Sequence, residues 1–168
     1  MRELIEPTER LHGAWLTAHA EWGAGLHEDG FGLLPTDEVS SGTGFAAWVA
    51  RLSDDSARCT YRWIVEGGQV LGGIALRHGF GDFVRRAGHV GYGIRPSARG
   101  RGLATWALGR MVDEARVLGM DRLLIVCEAG NGPSARTIER QGGVLEDGCD
   151  SATSAAWRYW IRIGEPGT

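Results

Sequence analysis

His89-Val90-Gly91-Tyr92-Gly93-Ile94-Arg95-Pro96-Ser97-Ala98-Arg99-Gly100-Arg101-Gly102-Leu103-Ala104-Thr105-Trp106-Ala107-Leu108-Gly109-Arg110-Met111 passes through three kinds of local structure without a gap. From His89 to Arg95, the residues Val90, Tyr92 and Ile94 alternate with His89, Gly91 and Gly93, which is the period of a strand. Pro96 ends that strand, because proline cannot donate to the next rung of a ladder. Arg99-Gly100-Arg101-Gly102 then makes a small cationic turn. Beyond it Leu103, Trp106, Ala107, Met111, Ala115 and Leu118 recur at helical spacing, and Gly119 marks the stop.

A glycine turn between a strand and a helix start is a place where protein chains bind phosphate. The N–H groups of the first helical turn have no acceptor of their own, and the helix dipole adds partial positive charge there. Glycine lets the backbone approach an anion that a Cβ would hold off. Arg95, Arg99 and Arg101 are expected to add fixed positive charge around the turn. A lone Gly-Arg-Gly could equally be a surface loop; the strand and helix on either side are what the anion site requires.

The spacing also resembles a family. Arg99-x-x-Gly102-x-Ala104 is similar to the acetyl-CoA pyrophosphate loop of the GNAT N-acetyltransferases. Downstream, Leu123 to Cys127 reads as the next strand, and Asn131-Gly132-Pro133-Ser134 through Gln141-Gly142-Gly143 resembles the family's second motif helix. Two motifs in the right order make the resemblance specific, over roughly residues 60–163 and more weakly towards the N-terminus. It implies an α/β (α+β) fold: a mixed, mostly antiparallel sheet of about seven strands, helices on both faces, and a splay between the fourth and fifth strands.

Composition narrows the classes. The chain has 168 residues, 43% hydrophobic and 23% charged, with formal net charge −3, which fits a single domain spanning residues 1–168 with a sizeable core. No apolar run approaches the ~20 residues of a membrane span, and the N-terminus lacks a signal peptide's apolar stretch, so a cytoplasmic protein is expected. Cys59, Cys127 and Cys149 are odd in number and lack metal-ligand spacing. All 18 basic residues are arginine. Without lysine, neither a Walker-type phosphate loop nor a pyridoxal-phosphate Schiff base can form. Mild acidity argues against nucleic acid as the main partner. A homodimer is compatible with the sequence.

Further elements follow the same rules. Arg2 to Pro7 reads as a strand, and Leu11, Trp15, Leu16, His19 and Trp22 as one helical stripe. Residues 28–42 read as a long loop, and Phe45 to Leu52 as a second helix. Thr60–Glu66 and Gln69–His78 flank Gly67-Gly68, a hairpin signal. Gly79 to Gly88 reads as a polar connector, Pro133–Gln141 as a helix, and Val144–Glu146 with Trp157–Ile163 as a terminal hairpin.

Acyl transfer from a thioester requires a grip on the cofactor diphosphate, an oxyanion donor, and control of two protons. The resemblance assigns the diphosphate to backbone N–H groups of Arg99, Gly100, Arg101, Gly102, Leu103, Ala104 and Thr105. It assigns strand-like pairing with the pantetheine to Tyr92, Gly93, Ile94 and Arg95, which would also bring an N–H near the thioester oxygen. Gly91 and Gly93 allow close approach of a ligand, though a bulge explains either one as well. Asn131 is a helix cap or, by the resemblance, a hydrogen-bond partner of the pantetheine, and Ser134 could join it. Many relatives place a tyrosine acid seven residues after the asparagine; this chain has Ile138, so either Ser134 or a water substitutes, or the thiolate leaves unassisted. Candidates for the general base are Glu128, His89 and Glu66, with Arg77 and His78 as further pocket residues. His12, His19 and His27 have no carboxylate or cysteine at ligand spacing, so no metal is expected.

Glu28, Asp29, Asp37 and Glu38, among Phe31, Leu33 and Leu34, form an acidic and partly apolar stretch that would suit a cationic amine on a small molecule or peptide. The resulting expectation is acetyl transfer from acetyl-CoA to a primary amine. The alternative is a non-catalytic acyl-CoA sensor on the same fold, suggested by Ile138.

Overall fold

In the computed structural model, residues 1–23 and 30–164 are described. The seven strands and five helices are β1 (Arg2–Ile5), α1 (His12–Trp22), α2 (Gly42–Asp54), β2 (Cys59–Glu66), β3 (Gln69–Arg77), α3 (Asp82–Ala87), β4 (Val90–Ile94), α4 (Leu103–Val117), β5 (Arg122–Glu128), α5 (Gly132–Arg140), β6 (Val144–Leu145) and β7 (Ala156–Arg162). They form a four-stranded sheet ordered β1-β2-β3-β4 and a three-stranded sheet ordered β5-β7-β6. The expected fold class holds, with the seven strands divided between two sheets. The pairings β1–β2, β5–β7 and β6–β7 are antiparallel. β4 and β5 each end a sheet, and Gly88, just before β4, makes an isolated antiparallel bridge with Ile125 of β5.

Two compact units make up the chain: Met1–Ala75 with Tyr92–Leu103, and Leu76–Gly91 with Ala104–Thr168; β3 and β4 run through both. The first unit is built on aromatic burial. Trp15 of α1, Phe45 and Trp48 of α2, Trp63 of β2 and Phe31 form one core cluster with Leu52, Val65 and Val70. Trp48 stacks on Trp63 at 5.9 Å, and Trp15 lies 4.8 Å from Trp48, centroid to centroid. Four of the chain's seven tryptophans, Trp15, Trp22, Trp48 and Trp63, thus pack in or against this cluster, at roughly 1.5–3 kcal/mol for each large side chain fully removed from water. The β2–β3 hairpin turns on Gly67 and Gly68, whose φ of 57° and 76° suits the primed turn that matches strand twist. Ser41 caps α2 by accepting from Gly44 N–H at 3.0 Å.

In the second unit helices cover both faces of the β5–β7–β6 sheet. Opposite partners in a ladder share a face, so Ile125, Cys127, Trp157 and Tyr159 point one way, and Leu124, Val126, Arg158 and Trp160 the other. α5 lies against the first face, where Tyr159 donates to Glu139 at 3.1 Å. α3 lies against the second, where Arg158 donates to the Arg85 carbonyl at 2.7 Å. This short helix occupies the stretch read from sequence as a polar connector.

Candidate functional site

β4 delivers the chain to the glycine turn. Arg95 N–H donates to Leu71 O at 2.8 Å, the last rung beside β3. A 3-10 turn over Pro96–Ala98 follows, then Arg99 to Gly102, and α4 begins at Leu103. Gly100 and Gly102 have φ of 79° and 74°, a region that costs an L-residue roughly 1–2 kcal/mol. A Cβ added at either would meet no heavy atom within 4 Å. The glycines therefore serve backbone conformation, and among the described residues nothing occupies the space a Cβ at either would take. Gly102 immediately precedes α4 and has no side chain with which to cap it.

The arginines behave differently from the sequence expectation. Arg95 pairs with Glu21 and also reaches Val70 O at 3.3 Å. Glu21 accepts from the Ser97 hydroxyl at 3.0 Å and from its N–H at 3.1 Å; Ser97 first, then Arg95, holds the carboxyl below its ordinary range. Arg101 takes both oxygens of Glu66, at 2.7 and 3.0 Å, and this contact lowers the Glu66 pKa. Arg99 donates from Nε to Ile94 O at 3.0 Å and, among the described residues, has no carboxylate partner. Two of the three charges expected to serve the turn are thus engaged with carboxylates. Glu66, expected as a candidate base, is instead half of an ion pair.

In the second unit Glu128 ends β5 with an exposed side chain. Asn131 caps α5: its side-chain oxygen accepts from Ser134 N–H at 3.2 Å. Ser134 in turn hydrogen-bonds the Cys127 thiol, whose pKa burial raises and Ser134 opposes. Ile138 is fully buried, with its side chain against Gly143. The position where relatives place a tyrosine acid is thus a core position in this chain. The nearby Tyr159 hydroxyl is pushed up to about 12, by burial first and by Glu139 second.

His89 is only 4% exposed. Leu124 N–H donates to its Nδ1 at 2.9 Å, which fixes the proton on Nε2, and the ring has a further hydrogen bond to the Gly79 backbone. Its main chain joins both sides, donating to Leu124 O at 2.6 Å and accepting from Arg77 N–H at 2.7 Å. Phe80 stacks on the ring at 5.6 Å. Burial, then Arg122 and Arg77, lower its pKa. His89, expected as a candidate base, has both ring nitrogens hydrogen-bonded to backbone in this structure. Arg77 lies 4.7 Å over the Phe83 ring and donates to Gly88 O at 3.1 Å.

The acidic stretch also changes meaning. Asp37 pairs with Arg51 at 2.5 Å and accepts from Leu34 N–H at 2.7 Å. Glu38 accepts from the N–H groups of Ser40 and Ser41 and from the Ser41 hydroxyl, which keep its pKa low. Phe31 is core. Glu28 and Asp29, like His27, lie outside the described residues. His12 bonds Val39 O at 2.7 Å and stacks on Phe45, His19 stacks on Trp15, and no metal-binding cluster occurs among the described residues. Glu21, Phe80 and α3 were missed by sequence reading. Glu21 lies 74 residues from Arg95, and no local signal links them.

Comparison with known proteins bears on the fold and the family. No curated protein matches the chain significantly. Among solved structures, the fold is similar to RimL, described as a ribosomal L7/L12 alpha-N-protein acetyltransferase in complex with coenzyme A, which is joined to a cysteine of that protein by a disulfide (19% identity, TM-score 0.71, covering 96% of this chain and 94% of that one). It is also similar to Mycobacterium smegmatis RimJ in complex with CoA-disulfide (17% identity, TM-score 0.72, covering 96% and 81%). A third is yncA from Salmonella typhimurium, a putative acetyltransferase with acetyl-CoA (18% identity, TM-score 0.62, covering 99% and 96%). The acetyltransferase (GNAT) domain model matches residues 34–144, which include β4, the glycine turn, α4, β5 and α5, and the chain belongs to that family.

Proposed function

We propose that this chain transfers the acetyl group of acetyl-CoA to a primary amine of a peptide or small molecule. The observation that carries the reading is the turn at Gly100 and Gly102, both left-handed and with open space where a Cβ would stand, leading directly into α4. Acetyl-CoA supplies the acyl group as a thioester. Backbone N–H groups from Arg99 to Thr105 hold its diphosphate, and the Tyr92–Arg95 backbone aligns the pantetheine arm and presents an N–H to the carbonyl oxygen. Asn131 and Ser134 are the assigned side-chain contacts to the cofactor.

The amine nitrogen forms the new amide bond, the C–S bond breaks, and the amine's surplus proton passes to Glu128, directly or through water. Ser134 donates a hydrogen bond to the departing thiolate, and the proton that makes the free thiol comes from solvent water, directly or relayed through that hydroxyl; a thiol's reference pKa near ~8.5 makes this assistance modest. The peptide N-terminus gains support as an acceptor from the RimL likeness. The non-catalytic sensor rests on the absent tyrosine, at a position where this chain has the buried Ile138.

Thiol release from acetyl-CoA, measured against a panel of amines and free-N-terminus peptides, tests the proposal. Turnover with at least one acceptor, lowered by Glu128→Gln with a shifted pH profile, is expected. Tight coenzyme binding without thiol release on any acceptor would overturn it in favour of a sensor.

A further inference from the structure

The register of β5 and β7 places Arg122 opposite Arg162, Leu124 opposite Trp160, Val126 opposite Arg158, and Glu128 opposite Ala156. Opposite residues share a face and alternate residues return to it, so Arg122, Arg158, Arg162, Trp160 and Glu128 lie on the same side of this strand pair. α3 and the residues before it add to that side. Arg85 lies 5.0 Å over the Phe80 ring, Phe80 sits 6.0 Å from Trp160, and Arg122 lies 4.4 Å over Trp160. Glu146 accepts from Arg158 at 2.6 Å and from Trp160 at 3.0 Å. Among the described residues, Arg85, Arg122 and Arg162 have no carboxylate partner, and all three are exposed.

Arg122 faces Arg162 directly across the ladder, so two guanidinium groups are held side by side on this face. Guanidinium groups stacked on rings keep their N–H donors outward, in the fork geometry that matches carboxylates. Phe80 and Phe83, 43% and 53% exposed, give the same region an apolar component.

We propose that this face docks a carboxylate-rich, partly apolar polypeptide segment belonging to the acceptor. The direction of docking, towards Glu128, rests on the acetyl-transfer reading; the docking itself does not. A short acidic segment matches a few guanidinia and the exposed rings. A long polyphosphate would also meet Glu128, Glu146 and the chain's net charge of −3.

The test is fluorescence anisotropy of a labelled peptide alternating Glu and Leu, with a free N-terminus, against the full chain without acetyl-CoA. A Gln/Leu peptide and a single-stranded oligonucleotide serve as comparisons. We expect the acidic peptide to bind best, more tightly at low salt, and Arg122→Gln with Arg162→Gln to weaken it about fivefold. The thermal midpoint and coenzyme affinity should hold, since neither arginine belongs to the turn. Equal binding of the Gln/Leu peptide, unchanged binding by the double variant, or tighter binding of the oligonucleotide would overturn the proposal. Thiol release is scored separately: intact docking without turnover sinks the transfer reading alone, and turnover on neutral acceptors without docking sinks this one alone.

Discussion

The starts of α4 and α5 solve the same problem in opposite ways. Each leaves backbone N–H groups without intrahelical acceptors. At α5 the chain supplies its own acceptor, the Asn131 side chain bonded to Ser134 N–H at 3.2 Å. At α4 it supplies Gly102, which has nothing to offer, on a left-handed backbone surrounded by open space. A self-satisfied helix start contributes stability, whereas an unsatisfied one retains affinity for an external anion. The two motifs therefore differ physically: one starts its helix on a left-handed glycine, the other on a side-chain cap.

Gly102→Val should break the contrast most severely. A β-branched residue at this φ carries at least ~1–2 kcal/mol of strain and turns the amides away from the anion, so coenzyme A affinity should fall about a hundredfold or more. Isothermal titration calorimetry reads this, with far-UV dichroism unchanged; retained affinity would show that the turn is not the cradle.

His89 sharpens the second unit's half of the comparison. Its pKa is lowered on folding, so the unfolded chain takes up the proton first. Stability is complete above the ordinary value of 6.5 and declines as pH falls from there towards the folded value. His89→Leu should cost about 2 kcal/mol at neutral pH, because Leu124 N–H loses a buried acceptor. His89→Gln, which retains an acceptor, should flatten the fall in thermal midpoint between about pH 7 and pH 5. An unchanged slope in that variant would place the acid sensitivity elsewhere.

A smaller effect is expected from Asn131→Ala: about 1 kcal/mol of stability, the usual worth of a cap. Coenzyme affinity should fall less than about tenfold. If it falls as far as in Gly102→Val, the two helix starts are equivalent binding elements and the contrast fails. Least of all, Glu66→Gln frees Arg101 beside the turn and should raise coenzyme affinity about twofold at low salt, fading as salt screens the charge. No change at any ionic strength would remove Arg101 from consideration.

What could be read from the sequence was what neighbouring residues determine together. Pro96, Gly102 and the Leu103–Met111 spacing sit within one another's reach, so β4, the turn and α4 were legible, as were Asn131 and the two hairpins. α3 was not: its six residues between glycines carry little propensity, and its place depends on Arg158 bonding the Arg85 carbonyl. The partners of Arg95 and Arg101 were hidden because Glu21 and Glu66 reach them through tertiary structure. His89 looked like a base because only the fold reveals that Leu124 N–H already occupies its Nδ1.

Every ion pair described above, at Arg51, Arg95, Arg101 and Arg158, uses guanidinium, and the chain contains no lysine at all. A guanidinium stays protonated with a pKa above ~12 and offers no lone pair to an activated acyl carbon. A protein that handles a reactive thioester thus holds itself together with cations that the thioester cannot modify. Stray N-acylation finds no side-chain amine to act on, so prolonged exposure to acetyl-CoA should leave the electrostatic framework intact.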